Sequence, residues 1–296
     1  MSDPARVHAL VLADGRSVSI HEVASGGGRT VVFCHASPGS GAFDPDPTET
    51  TRRGITLLAL DRPGYGRSDP MPAGSWSSVD RHADDIAAVL RARGIDHVGV
   101  AGWSAGGRVA LALAARHPGL VDRVVVLATP APHEAVPWVP SAQQAGLDAL
   151  RDLPPDDVHT ALVEQLGPLV PRDPGDDAAL DLLRRSPADD DALARPGART
   201  RLAAMLDVAF KQGATGMATE IAGYGLRSWG FEPSDVTAKT LLLYGTADPL
   251  GGNRHARWWK DHLPNARVEM VPGAGHLLVI PMWARALSFL APSRDA

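Results

Sequence analysis

Three short stretches carry side chains whose types can do chemistry together. The first is Gly102-Trp103-Ser104-Ala105-Gly106, followed by Gly107. It comes directly after an apolar run and opens an Ala- and Leu-rich helical pattern. A serine on such a strand-to-helix turn has an exposed hydroxyl, and the helix N-terminus behind it favours developing negative charge. The second stretch is Leu243-Tyr244-Gly245-Thr246-Ala247-Asp248-Pro249, and the third is Pro272-Gly273-Ala274-Gly275-His276-Leu277. A serine hydroxyl needs a base to take its proton and a third group to orient that base. Asp248 and His276 supply those types: Asp248 follows an apolar strand pattern and His276 lies in a Gly-rich loop just after a further predicted strand, which places both at the carboxyl edge of a sheet. The chain order Ser104, Asp248, His276 suits acyl transfer by a serine nucleophile.

Other histidines have plainer readings. His117 sits at a helix end, His82 lies on a helix, and His255 and His262 flank an amphipathic segment, so surface or capping roles are expected for them. Transition-state oxyanions need backbone N–H donors. One is expected from Ala105, and the other from the loop His35-Ala36-Ser37-Pro38-Gly39, with Ser37 preferred over Ala36. Cys34 reads as a small buried hydrophobe. Trp103, Trp138, Phe210, Tyr224 and Trp229 are candidates to line a substrate cleft, although their type also suits ordinary packing. A substrate ammonium would need an acid, for which Glu134, Glu164 and Glu220 are available.

The elements that must hold these residues are legible as patterns. Val7 to Leu12 and Val18 to Val23 flank Asp14-Gly15 and read as a hairpin. Val31 to Cys34, Ile55 to Leu60, Val98 to Ala101, Val124 to Ala128, Thr240 to Tyr244 and Arg267 to Val271 read as strands. The most continuously apolar of them suit strands covered on both faces. Val79, Ala83, Ile86, Ala87 and Leu90 have helical spacing, Ala105 to Arg116 reads as the next helix, and Met282 to Leu290 as the last. This alternation predicts a doubly wound α/β sheet. Between about His133 and Pro233 the strand patterns vanish and short amphipathic stretches replace them, predicting a helical insertion. The Asp189-Asp190-Asp191 run within it is expected on a solvated face. The core is therefore assigned to 1–132 and 234–296, and the insertion to 133–233.

Bulk properties narrow the class further. The 296 residues carry 29 basic and 34 acidic side chains, a formal charge of −5. Neither that balance nor any basic stripe suggests a nucleic-acid partner. Cys34 is the single cysteine, so an intrachain disulfide is impossible. With no apolar leader and no run of membrane-spanning length, a cytoplasmic protein acting on a small molecule is expected, with no cofactor and no metal.

Together these stretches, with Asp61-Arg62-Pro63-Gly64-Tyr65-Gly66-Arg67-Ser68, resemble the α/β-hydrolase superfamily along nearly the whole chain. The resemblance implies eight mostly parallel strands, helices on both faces, a helical cap inserted after the sixth strand, and a cap-bearing serine hydrolase. Carboxylester cleavage is the leading activity, with carbon–carbon bond hydrolysis, aminopeptidase action, perhydrolysis or pure ligand binding as alternatives on the same scaffold. One departure stands out. Many members have His-Gly-x-Pro-Gly in the loop after the third strand, whereas this chain has Ala36. Ser104 separates it from haloalkane dehalogenases and epoxide hydrolases, which carry aspartate there.

Overall fold

The computed structural model describes residues 6–292. Its centre is an eight-stranded sheet of order β1-β2-β4-β3-β5-β6-β7-β8. The strands are β1 (Arg6–Val11), β2 (Ser17–Ser25), β3 (Thr30–Cys34), β4 (Thr56–Leu60), β5 (Val98–Trp103), β6 (Val121–Leu127), β7 (Lys239–Gly245) and β8 (Ala266–Val271). Strands β1 and β2 form the expected antiparallel hairpin, with Arg6 opposite Glu22 and Val11 opposite Ser17. Strand β2 is antiparallel to β4. From β4 to β8 every neighbouring pair is parallel.

Side-chain alternation explains the apolar runs. In β3, Val32 and Cys34 join one core cluster, while Val31 and Phe33 join another. In β7, Leu242 and Tyr244 point to the first cluster, and Leu241 and Leu243 to the second. A strand covered on both faces cannot alternate apolar with polar, because each face meets a helix layer. The first face is covered by α2 (Val79–Ala92), α3 (Ala105–Arg116) and α10 (Asn253–His262). The second is covered chiefly by α11 (Trp283–Leu290). The small helix α1 (Pro47–Arg52) was not foreseen. Its signal is local: Asp46 accepts from the amides of Thr48 and Glu49, and Pro47 occupies the first turn, where its missing N–H costs nothing.

Between β6 and β7 the chain is helical among the described residues: α4 (Ser141–Leu150), α5 (Pro155–Leu166), α6 (Asp177–Asp181), α7 (Asp190–Leu193), α8 (Ala198–Ala209) and α9 (Thr215–Leu226). Val158, Leu162, Met217, Ala218 and Ala222 from α5 and α9 form a third apolar cluster with Tyr65 from the sheet edge. Leu202, Met205 and Leu206 of α8 instead join the second sheet cluster. The insert thus reaches both faces of the sheet, with Val136 and Tyr224 in the first cluster and α8 in the second.

Candidate active site

Ser104 ends the turn between β5 and α3 with φ 54° and ψ −122°, a backbone conformation that L-residues avoid without support. The support is close packing at the flanking glycines. A Cβ on Gly102 would lie 2.4 Å from the Gly106 carbonyl oxygen, and one on Gly106 would lie 2.1 Å from the Cys34 carbonyl oxygen. The turn therefore presses against the end of β3, and only glycine permits it. Ser104 is buried, with 7% of its surface open.

The three candidate side chains meet in line. Ser104 Oγ lies 3.0 Å from His276 Nε2, and His276 Nδ1 lies 2.9 Å from Asp248 Oδ2. Asp248 Oδ1 accepts the Leu250 amide at 2.8 Å. Burial pushes the Asp248 carboxyl upward, but pairing with His276 and backbone amide bonds outweigh it, leaving the group below the usual aspartate range. It is thus ionised at neutral pH and holds the imidazole with Nδ1 protonated and Nε2 free to accept the serine proton.

Trp103 was expected in a cleft. It is instead fully buried and donates Nε1–H to the His276 carbonyl at 2.9 Å. Its place in β5 explains this, because side-chain alternation turns residue 103 into the second core cluster, among Phe33, Phe43 and Trp283. Half-buried Trp138 bonds the Ala131 carbonyl, and half-buried Phe210 packs between the second and third clusters. Tyr224 is buried on α9 and bonds His82. Half-buried Trp229 borders a cavity of about 430 Å³ together with Tyr224, Glu134, Phe231 and Trp258. None of Ser104, Asp248 and His276 lines that cavity.

The other histidines divide. His117 pairs with Asp84 at a helix end and His262 is exposed, as expected. His82 and His255 are not surface residues. His82 is buried between the Ser77 and Tyr224 hydroxyls, and buried His255 accepts the Ala131 amide. Each falls on the sheet-facing side of its helix, where a polar ring survives only because partners satisfy it. Burial keeps both imidazoles below the usual range.

The loop after β3 is held from below. Arg62 donates to the carbonyls of His35 at 2.7 Å and Ala36 at 2.9 Å. Its Nε–H binds Glu220, and the Tyr65 hydroxyl donates to the other Glu220 oxygen at 2.8 Å. Ser37 Oγ lies 3.1 Å from that tyrosine hydroxyl. Glu220 is therefore consumed by a buried ion pair between the insert and the core. Glu164 is exposed on α5, and Glu134 is exposed beside the cavity. Ala36 is buried, so its methyl faces packing rather than open space. Ala105 is the first residue of α3, and its amide has no carbonyl to bond within the helix. Cys34 is buried and neutral, its thiol pushed up to about 12 by burial.

One residue was misplaced by its sequence context. Asp189 was expected on a solvated face with Asp190 and Asp191, which are exposed. Asp189 itself is 1% exposed. Its Oδ1 accepts the amide of Leu277, adjacent to His276, at 2.7 Å, while Oδ2 accepts the Ser186 amide at 2.9 Å. A Cβ on Gly275 would strike this carboxylate, so the glycine before His276 makes room for it. The signal was the Ser186-Pro187-Ala188-Asp189 spacing, a capping box that turns the carboxylate back on the chain.

The sheet order, the strained serine and the three-residue line place this chain in the α/β-hydrolase class of folds. A family model of the alpha/beta hydrolase fold matches residues 29–281, and the chain belongs to that family. It is 27% identical over 260 residues to the pimeloyl-[acyl-carrier protein] methyl ester esterase of Nitrosomonas europaea, covering 87% of this chain and 92% of that protein. It is 35% identical to the AB hydrolase superfamily protein YisY of Bacillus subtilis, but over 111 residues, 36% of this chain and 40% of that protein. A hydrolase structure from Pseudomonas aeruginosa superposes with a TM-score of 0.71 at 22% identity, covering 97% of this chain and 98% of that one. Among the described residues no helix is long and apolar enough to cross a membrane.

Proposed function

We propose that this protein is a serine hydrolase that cleaves a small-molecule ester through an acyl-enzyme. The observation that carries the reading is the unbroken line Ser104 Oγ, His276, Asp248 at 3.0 and 2.9 Å. In the first step the Ser104 oxygen attacks the substrate carbonyl as His276 Nε2 takes its proton. Asp248 keeps the imidazole oriented and stabilises the imidazolium that forms. The negative carbonyl oxygen is received by the amides of Ala105 and Ser37. Arg62 fixes the second donor by holding the carbonyls of His35 and Ala36. His276 returns the proton to the leaving alcohol. It then activates water, which releases the acid and restores Ser104.

Residues 133–233 act as a cap in this reading, with the substrate bound between cap and sheet. The Nitrosomonas relative's ester substrate supports an ester over an amide. An aminopeptidase role loses one candidate acid, since Glu220 is bound by Arg62 and Tyr65. The test is Ser104→Ala. The wild type should hydrolyse short nitrophenyl esters and be labelled by a fluorophosphonate, and the variant should do neither while keeping its circular dichroism spectrum. Labelling retained in the variant would refute the assignment.

A further inference from the structure

Arg108 lies on α3, four residues beyond Ser104, and is 5% exposed. Its guanidinium sits over two indoles, 5.3 Å from the Trp138 ring centre and 4.6 Å from that of Trp229. Its buried Nε has no hydrogen-bond partner, and among the described residues no carboxylate pairs with the group. The carboxylates whose fields reach it are otherwise placed. Glu220 is held by Arg62 and Tyr65, and Glu134 is exposed. Burial pulls the guanidinium down to about 10, so it is still a cation at neutral pH.

This is an unfinished site. A buried cation without a counter-anion is strongly unfavourable. Indole faces attract the charge but leave the buried Nε–H unsatisfied. A carboxylate is the planar, two-pronged acceptor that matches the guanidinium edge bearing that N–H. The walls are fixed, since Trp138 Nε1 bonds the Ala131 carbonyl at 3.0 Å and Trp229 Nε1 bonds the Tyr224 carbonyl at 3.1 Å. Those indoles stand near the two ends of the insert, where the chain leaves the sheet and returns to it. Trp229 also borders the cavity of about 430 Å³, whose lining does not include Arg108. Helical side chains lean toward the helix N-terminus. Arg108 therefore reaches back toward the turn that bears Ser104, whose Cα lies roughly 6 Å away along the axis.

From this geometry we infer that Arg108 binds a carboxylate carried by the substrate, making the preferred substrate an ester whose acyl group bears a second, ionised carboxyl. The inference rests on the reading of Ser104 as nucleophile. The experiment compares nitrophenyl butyrate with the mono-nitrophenyl ester of glutaric acid, for wild type, Arg108→Met and Arg108→Lys. In the wild type the ratio of kcat/KM values should favour the charged ester. Arg108→Met should lower that ratio by about 10- to 100-fold, the loss of one charge-assisted contact, mainly through KM. Arg108→Lys should retain part of it. Free glutarate should raise the wild-type melting temperature and compete with the charged ester, and should do neither with Arg108→Met. If Arg108→Met does not fold, the lysine variant and the wild-type glutarate titration decide. An unchanged ratio, or no glutarate effect on the wild type, would overturn the anion site while fluorophosphonate labelling of Ser104 still stood. Absence of labelling would instead overturn the hydrolase reading.

Discussion

Replacing Asp189 by asparagine should damage the enzyme although the change is nearly isosteric. Both carboxylate oxygens accept from backbone amides, Oδ1 from Leu277 and Oδ2 from Ser186. An asparagine can accept at one position only. Its NH₂ must then face an N–H donor at the other, which leaves a buried amide unpaired. Hydrogen bonds to a charged group contribute about 1.5–3 kcal/mol each, so Asp189→Asn should lower stability by about 2–3 kcal/mol. The catalytic effect follows from where the strain is relieved. Leu277 is bonded to His276, so a shift of the loop moves the imaginary line from base to serine. A misplacement of about 1 Å can cost on the order of 100-fold in rate. Hydrolysis of nitrophenyl butyrate at saturation, with thermal melts on the same samples, reads both quantities. Asp190→Asn and Asp191→Asn are the controls, because both side chains are exposed. A 189 variant whose kcat and melting temperature match those controls would refute the idea that the insert positions the histidine loop.

Three further outcomes are expected. Glu220→Gln should destabilise the fold by about 3–5 kcal/mol, because it leaves Arg62 buried without its counter-charge, and replacing Arg62 by methionine in the same chain should recover part of the loss in denaturant titrations. Asp248→Asn should reduce kcat about 10⁴-fold by releasing the imidazole tautomer, measured as steady-state ester hydrolysis. Asp44 is buried, and burial raises its carboxyl to about 6 from 3.8. Its charged form is thus disfavoured in the fold, so stability should fall as pH rises through that window, by at most about 3 kcal/mol. Asp44→Asn keeps the oxygen that accepts from Thr50 Oγ1 and the Asp46 amide. Chemical denaturation between pH 4 and 8 should therefore show a flatter profile for the variant, and an unchanged slope would contradict the assignment.

What could be read in advance follows from which forces act locally. The buried strands were legible because a sheet covered on both faces leaves no position for a polar residue, as in β7 and β3. The α3 boundaries came from the glycine turn before it and Pro118 after it. Ser104 and Asp248 could be placed because each follows such a strand, whereas His276 follows the half-exposed edge strand β8 and was picked out by its Gly-rich loop; the topology then brings the three strand ends together. Residues that depend on long-range partners were not legible. Asp189 looks like one member of an acidic run, and only its contact with Leu277 distinguishes it from Asp190. Trp103 looked available because it neighbours Ser104, but strand alternation turns it inward. His82 and His255 were assigned to the surface because nothing nearby in sequence names Tyr224 or the Ala131 amide as partner. Arg62 stood within a recognisable loop, yet its bond to Glu220 joins positions far apart in the chain.

In the proposed reaction Ser104 accepts the acyl group. This is tested most directly by acid-quenching the enzyme within the first turnover of a nitrophenyl ester and locating the acyl mass by peptide mass spectrometry. An adduct is expected on the peptide containing Ser104, formed with a stoichiometric burst of nitrophenol and missing from Ser104→Ala. Full ester turnover by Ser104→Ala, or an adduct confined to another residue, would contradict it.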